Sequence, residues 1–140
     1  MRLYQITIAA ALLLSPQARA ESVSTIKDLI NKLSIEQGVP PAFARALIDS
    51  ESRYKPNVKR RNNYGLGQIS CGTAHRIGFA GDCKRLFDVE TNLYYSIAYM
   101  KQALVLANDN LCHAATLYNH GLDTKKTKGP FCKKVMRKRG

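Results

Sequence analysis

Apolar residues recur every three or four positions through most of this chain and almost nowhere alternate. Leu93, Ile97, Met100 and Leu104 follow at spacings of four, three and four, which puts them on one face of a long helix. Ile26, Leu29, Ile30 and Leu33 mark a second such face, and Phe43, Ala44, Leu47 and Ile48 a third. The punctuation agrees with this period. Ser24 is placed to cap the first helix and Gly38 to end it. Pro40-Pro41 begin the second, where a missing N–H is tolerated, and it runs to about Glu51. A short helix is expected from Cys71 to Ile77, broken by Gly78 and Gly81. Asp88 or Thr91 caps the long helix, Asn108-Asp109-Asn110 make a turn, and Leu111 to Asn119 form the last helix before Gly121. With few strand signals, the expectation is one all-α domain with a small irregular hairpin in the loop before Gly65.

The 140 residues leave room for one domain, and the first twenty read as something else. Arg2 supplies a positive n-region, Ile6 to Leu14 an apolar core, and Ala18-Arg19-Ala20 a small-x-small cleavage site, the pattern of a secretory signal peptide. The expected organisation is a signal peptide over 1–20, a domain over 21–123 and a basic tail over 124–140, partly tied to the domain through Cys132 and free beyond it. Cys71, Cys83, Cys112 and Cys132 all fall after the cleavage site, and four cysteines allow three pairings. Cys71–Cys83 and Cys112–Cys132 are favoured because each closes a short neighbouring loop. A zinc site lacks the CxxC spacing, and His75, His113 and His120 make no ligand pattern.

The formal net charge is +12, and eight of the basic residues lie in the last seventeen. Such a surface suits nucleic acid, anionic lipid or another anionic polymer. Export removes nucleic acid from these and favours the polymer of the cell wall, whose peptide stems carry carboxylates.

Glu51 closes the apolar segment Ala46-Leu47-Ile48-Asp49-Ser50-Glu51-Ser52, and a glycine turn, Gly65-Leu66-Gly67-Gln68-Ile69, follows the basic loop beyond it. Burial disfavours a charged carboxyl, so a glutamate in such a place is suited to donate a proton near neutral pH. Partners for it are few. Asp49 points to another side of the same helix, and Asp88 and Glu90 sit at a helix start, where acids stabilise the N-terminus.

Four segments in order, Ala46 to Ser52, Tyr64-Gly65-Leu66-Gly67-Gln68-Ile69-Ser70, Thr91-Asn92-Leu93 and Ala114-Ala115-Thr116-Leu117-Tyr118-Asn119-His120-Gly121, resemble the lytic transglycosylases of the soluble-type (SLT) catalytic domain. This is a goose-lysozyme-like family acting on peptidoglycan. The chain departs from the family pattern at Lys59-Arg60-Arg61-Asn62-Asn63, where many relatives carry Ser or Thr, and at Gly67, where many have Met. The resemblance implies a mainly α, lysozyme-like domain and a glycan-strand lyase with no cofactor. Glu51 would be its single acid and base, cleaving between N-acetylmuramic acid and N-acetylglucosamine and leaving 1,6-anhydro ends. It assigns substrate contacts to Ser52, Gly65, Leu66, Gly67, Gln68, Tyr118 and Asn119. Two glycines let backbone approach a sugar, and Gln68 offers both a donor and an acceptor, to sugar or to Glu51.

Two rival readings remain open from sequence. A muramidase on the same fold would use water as acceptor and still need Glu51. A basic wall-binding protein without catalysis would need no desolvated acid. The expected setting is the bacterial periplasm, as a monomer with no membrane span after signal cleavage. Family analogy adds a secretion or flagellar assembly as a partner.

Overall fold

A computed structural model of the protein describes residues 21–140. The signal-peptide reading of 1–20 therefore lies outside the described residues. Among those described, no helix is long and apolar enough to cross a membrane.

Helix α1 spans Val23–Gln37. Its cap is Ser22 rather than the expected Ser24. The Ser22 hydroxyl accepts from Thr25 N at 3.1 Å, which places Ser24 inside the first turn. Gly38, at φ 66°, takes the left-handed conformation that ends the helix, as expected. Helix α2, Pro41–Ser52, starts on Pro41 and buries Phe43, Ala44, Ala46, Leu47 and Ile48. Three two-residue strands follow, β1 (Lys59–Arg60), β2 (Asn63–Tyr64) and β3 (Ile69–Ser70), paired antiparallel in that order. Lys59 faces Tyr64, and Tyr64 faces Ile69, so the expected hairpin gains a third strand. Then come α3 (Cys71–Arg76), a 3-10 turn (Cys83–Phe87), α4 (Val89–Leu106) and α5 (Leu111–His120). Asp88 caps α4, its carboxylate accepting from Thr91 N at 2.9 Å. Asn110 caps α5 in the same way.

The basic C-terminal segment departs most from expectation. Pro130–Arg139 is a helix, α6, where a tail free after Cys132 was anticipated. Cys132 and Val135, three apart, face inward and are buried, and Phe131 and Met136 pack against the same core. A narrow apolar stripe is enough to dock a helix whose other faces are cationic, because long basic side chains keep their heads in water. Five helices form a closed ring of contacts, α1 on α2, α2 on α6, α6 on α5, α5 on α4 and α4 on α1. The sheet and α3 lie beside that ring over a small second core of Ile69, Ala74, Phe79 and Leu86.

Both disulfides form with the favoured pairing, Cys71–Cys83 and Cys112–Cys132. The second joins α5 to α6 across a separation of 20 residues, so removing it frees a loop of that size in the unfolded chain. Replacing Cys112 and Cys132 together by serine is expected to cost about 3 kcal/mol of stability. Urea midpoints check this, and a change within about 0.5 kcal/mol would mean that α6 is held by packing alone.

Candidate active site

Glu51 is the penultimate residue of α2, and a tight backbone turn follows it. Arg53 and Tyr54 both have positive φ, 55° and 58°, a conformation that costs a non-glycine residue of order 1 kcal/mol. Arg53 N donates to Asp49 O, closing the helix, and the Tyr54 hydroxyl returns to Arg45 O at 3.1 Å. This turn swings the chain aside and leaves the Glu51 carboxyl at the wall of a cleft of about 270 Å3, with Gln68, Tyr118 and Asn119 among the lining residues. Burial pushes the carboxyl up to about 7, and the Lys134 and Arg60 charges pull against that rise. A group poised there can both give and retake a proton at neutral pH.

Gln68 and Ile69, which also line the cleft, follow directly on the glycine turn, and Asn92 of α4 shapes that turn. One buried amide makes four bonds: Oδ1 accepts from Gly67 N at 2.8 Å and from the Ser96 hydroxyl at 3.2 Å. Its Nδ2 donates to Tyr64 O at 2.8 Å and Leu86 O at 2.7 Å. Gly65 has φ 67°, and a Cβ there would come within 2.6 Å of Leu86 O as well as overlapping Asn92. A Cβ on Gly67 would overlap the Ser96 side chain and come within 2.9 Å of the Tyr118 hydroxyl. Glycine at both positions is thus required by packing against α4 and α5.

Tyr118 of α5 reaches across to donate its hydroxyl to Gly67 O at 2.7 Å. Burial first, then the nearby Glu51 charge, push its hydroxyl well above the usual phenol range, so it remains a neutral donor. Its ring lies 5.2 Å from that of Tyr99, which also lines the cleft. Gln68, at φ 49°, is held by Nε2 bonds to Val58 O at 3.0 Å and Gly65 O at 2.9 Å. Its Oε1 is buried with no donor among the described residues. An acceptor fixed in this way on the cleft wall can accept a hydrogen bond from the protonated Glu51 or from a ligand.

Glu51, Gln68, Tyr118 and Asn119 therefore come together. Ser52 and Leu66 do not join them. The Ser52 hydroxyl is buried and donates back to Ile48 O at 3.2 Å, and Leu66 is fully buried in the main core. Gly65 and Gly67 act through the backbone and are absent from the cleft wall. Sequence reasoning gave no role to Asn92, Tyr99, Thr73 or Arg76, although the last three line the cleft and Asn92 lies in one of the four family-like segments. Glu51 is the one carboxylate among the lining residues. Asp49 is paired with Lys138 at 2.6 Å, Asp88 is occupied as a helix cap, and Glu90 borders a different cavity.

The family model of the Transglycosylase SLT domain matches residues 28–134. Among solved structures, the 70-kDa soluble lytic transglycosylase of Escherichia coli is similar at TM-score 0.70 and 22% identity, over 80% of this chain and 23% of that one. An inactive mutant of lytic transglycosylase Slt from Pseudomonas aeruginosa is similar at TM-score 0.63 and 18% identity, over 81% of this chain and 21% of that one. The 70-kDa enzyme in complex with bulgecin A gives TM-score 0.62 and 23% identity, over 80% and 18%. At these identities the likeness is one of fold, and the chain spans less than a quarter of the length of the structures it matches. A search of curated protein sequences gives no match.

Proposed function

The chain belongs to the Transglycosylase SLT domain family, and from that premise we propose that it is a peptidoglycan lytic transglycosylase with Glu51 as its single acid and base. One observation carries the reading: a lone carboxyl, raised to about 7 by burial, in a cleft that offers no second carboxylate among its lining residues. Glycosidases usually need two, one as acid and one as nucleophile or base. A single carboxyl suffices where the substrate supplies its own nucleophile.

Glu51 first protonates the oxygen linking N-acetylmuramic acid to N-acetylglucosamine, and the C1–O bond breaks with that oxygen leaving as a hydroxyl. The carboxylate so formed then takes the proton of the muramyl C6 hydroxyl as its oxygen bonds to C1. The 1,6-anhydro ring closes, Glu51 is protonated again, and no water is consumed. The substrate's N-acetyl oxygen shields the positive centre in between. Tyr118 and Gln68 brace the wall facing Glu51, and Asn119 borders the sugar. The protein works after export, in the periplasm, on wall that a secretion or flagellar assembly must cross.

Mass analysis of muropeptides released from purified sacculi tests this. Anhydro ends, one water lighter than reducing ends, are expected. Reducing ends would make the protein a muramidase, and an absence of products would leave a basic wall-binding protein.

A further inference from the structure

Ser50 and Glu51 lie in the last turn of α2, where backbone carbonyls run out of helical partners and the helix dipole presents negative charge. Two cations from distant elements reach these carbonyls. Lys134 Nζ of α6 donates to Ser50 O at 2.6 Å, and Arg60 Nη1 of β1 donates to Glu51 O at 2.9 Å. Lys138, one turn beyond Lys134, pairs with Asp49 at 2.6 Å. Three consecutive residues, 49 to 51, are thus each gripped by a different cation.

We propose that Lys134 is a positioning residue for Glu51: with Arg60 it clamps the end of α2, fixing where the carboxyl stands and setting the pH range over which it exchanges its proton. The proposal rests on the acid–base role given to Glu51 above. A helix C-terminus inside a desolvated cleft is a poor place for a negative charge, since burial and dipole both oppose it. An acid so placed keeps its proton up to neutral pH, ready for the first step, but holds the resulting charge badly, and the second step needs the carboxylate. Cations on the adjoining carbonyls supply what is missing.

The arrangement is specific to one position. Cys132 is bridged to Cys112 and Val135 is fully buried, so the backbone carrying Lys134 is fixed on both sides. Lys133, next to it, is exposed and makes no bond to α2 among the described residues. Of the other groups around the cleft, Tyr118 of α5 stays neutral, and Tyr99 of α4, Arg76 of α3 and His120 of α5 also line it. Lys134 acts on Glu51 more strongly than Arg60, and both oppose the rise that burial causes.

The test is a carboxyl-carbon NMR titration of Glu51 on the full chain, the signal assigned by its loss in Glu51→Gln. Lys134→Met, which keeps the apolar stem, should move the Glu51 midpoint up by about one pH unit. Arg60→Gln should move it the same way by less, without touching α6. Lys134→Arg should stay near the parent, and Lys133→Gln, which removes equal net charge, should leave the midpoint unmoved. In release of product from sacculi, the alkaline limb of the pH profile should follow the midpoint in each variant. Equal midpoints for Lys134→Met and Lys133→Gln, or a downward shift in Lys134→Met, would overturn the clamp. The titration needs no substrate, so it can fail while turnover is normal, and the proposed function can fail while the shifts are as expected.

Discussion

Glu51→Gln yields a protein that folds, binds sacculi, releases about 10²–10⁴-fold less product than the parent, and is more stable than the parent above neutrality. The first effect follows from removing the one carboxyl among the residues that line the cleft. The second comes from the same burial. A carboxyl at about 7 in the native state, against an ordinary 4.5 when unfolded, keeps its proton in the fold after the unfolded chain has lost it. Stability therefore falls as pH rises from about 4.5 to 7 and stays reduced above. Glutamine never ionises and escapes that fall, for a gain of about 1–3 kcal/mol at pH 8 that vanishes near pH 4. Urea midpoints at the two pH values, beside product release, check both halves. Activity within a few-fold of the parent sinks the catalytic assignment, and a variant weaker than the parent at pH 8 sinks the account of burial.

Asn92→Ala should destabilise the protein strongly although Asn92 is not among the residues that line the cleft. Three backbone groups, Gly67 N, Tyr64 O and Leu86 O, lose the buried amide that bonds to each of them. A buried polar group left unpaired costs about 1–3 kcal/mol, so a total loss of about 3–4 kcal/mol is expected after partial relaxation. The glycine turn carries Gln68 and accepts the Tyr118 hydroxyl, and a displacement of about 1 Å there can cost on the order of 10² in rate. Asn92→Asp keeps the acceptor facing Gly67 N and loses both donated bonds, so it should fall between parent and alanine. Thermal melts and product release under conditions where each variant is folded measure the two effects separately. An alanine variant within about 1 kcal/mol and a few-fold of the parent would show that the turn holds its shape unaided.

Four helices of the ring, α1, α2, α4 and α5, were legible because their apolar faces are wide and their ends are marked. Gly38, Pro41 and Asp88 do locally what such residues do wherever a helix begins or ends. The α6 helix was not legible, since the buried face of Pro130–Arg139 is only a few residues wide within a run of cations. Its docking depends on the Cys112 bridge and the flank of α2, which lie far away in sequence. Glu51 and the glycine turn could be read, but the direction in which each neighbour points could not. Ser52 follows Glu51 in the chain, yet one residue of helix turns it by about 100° into the core. Leu66 is buried for the related reason that a turn held at Gly65 and Gly67 sends its middle side chain inward. Asn92 carried no signal of its role, because the carbonyls it satisfies belong to a loop and a 3-10 turn brought to it only by folding.

A ring of five helices has no free edge. Each member is held on two sides, so none can swing outward about a single contact as the end helix of an open stack can. To widen the gap between α2, which bears Glu51, and α5, which bears Tyr118, at least two contacts must loosen together. One path between them runs through α6, where a covalent link to α5 limits how far it can yield. Slow breathing of the ring is therefore cooperative and costly. Glu51 on α2 and Tyr118 on α5 are thus held at a spacing that only a concerted movement of the ring can change.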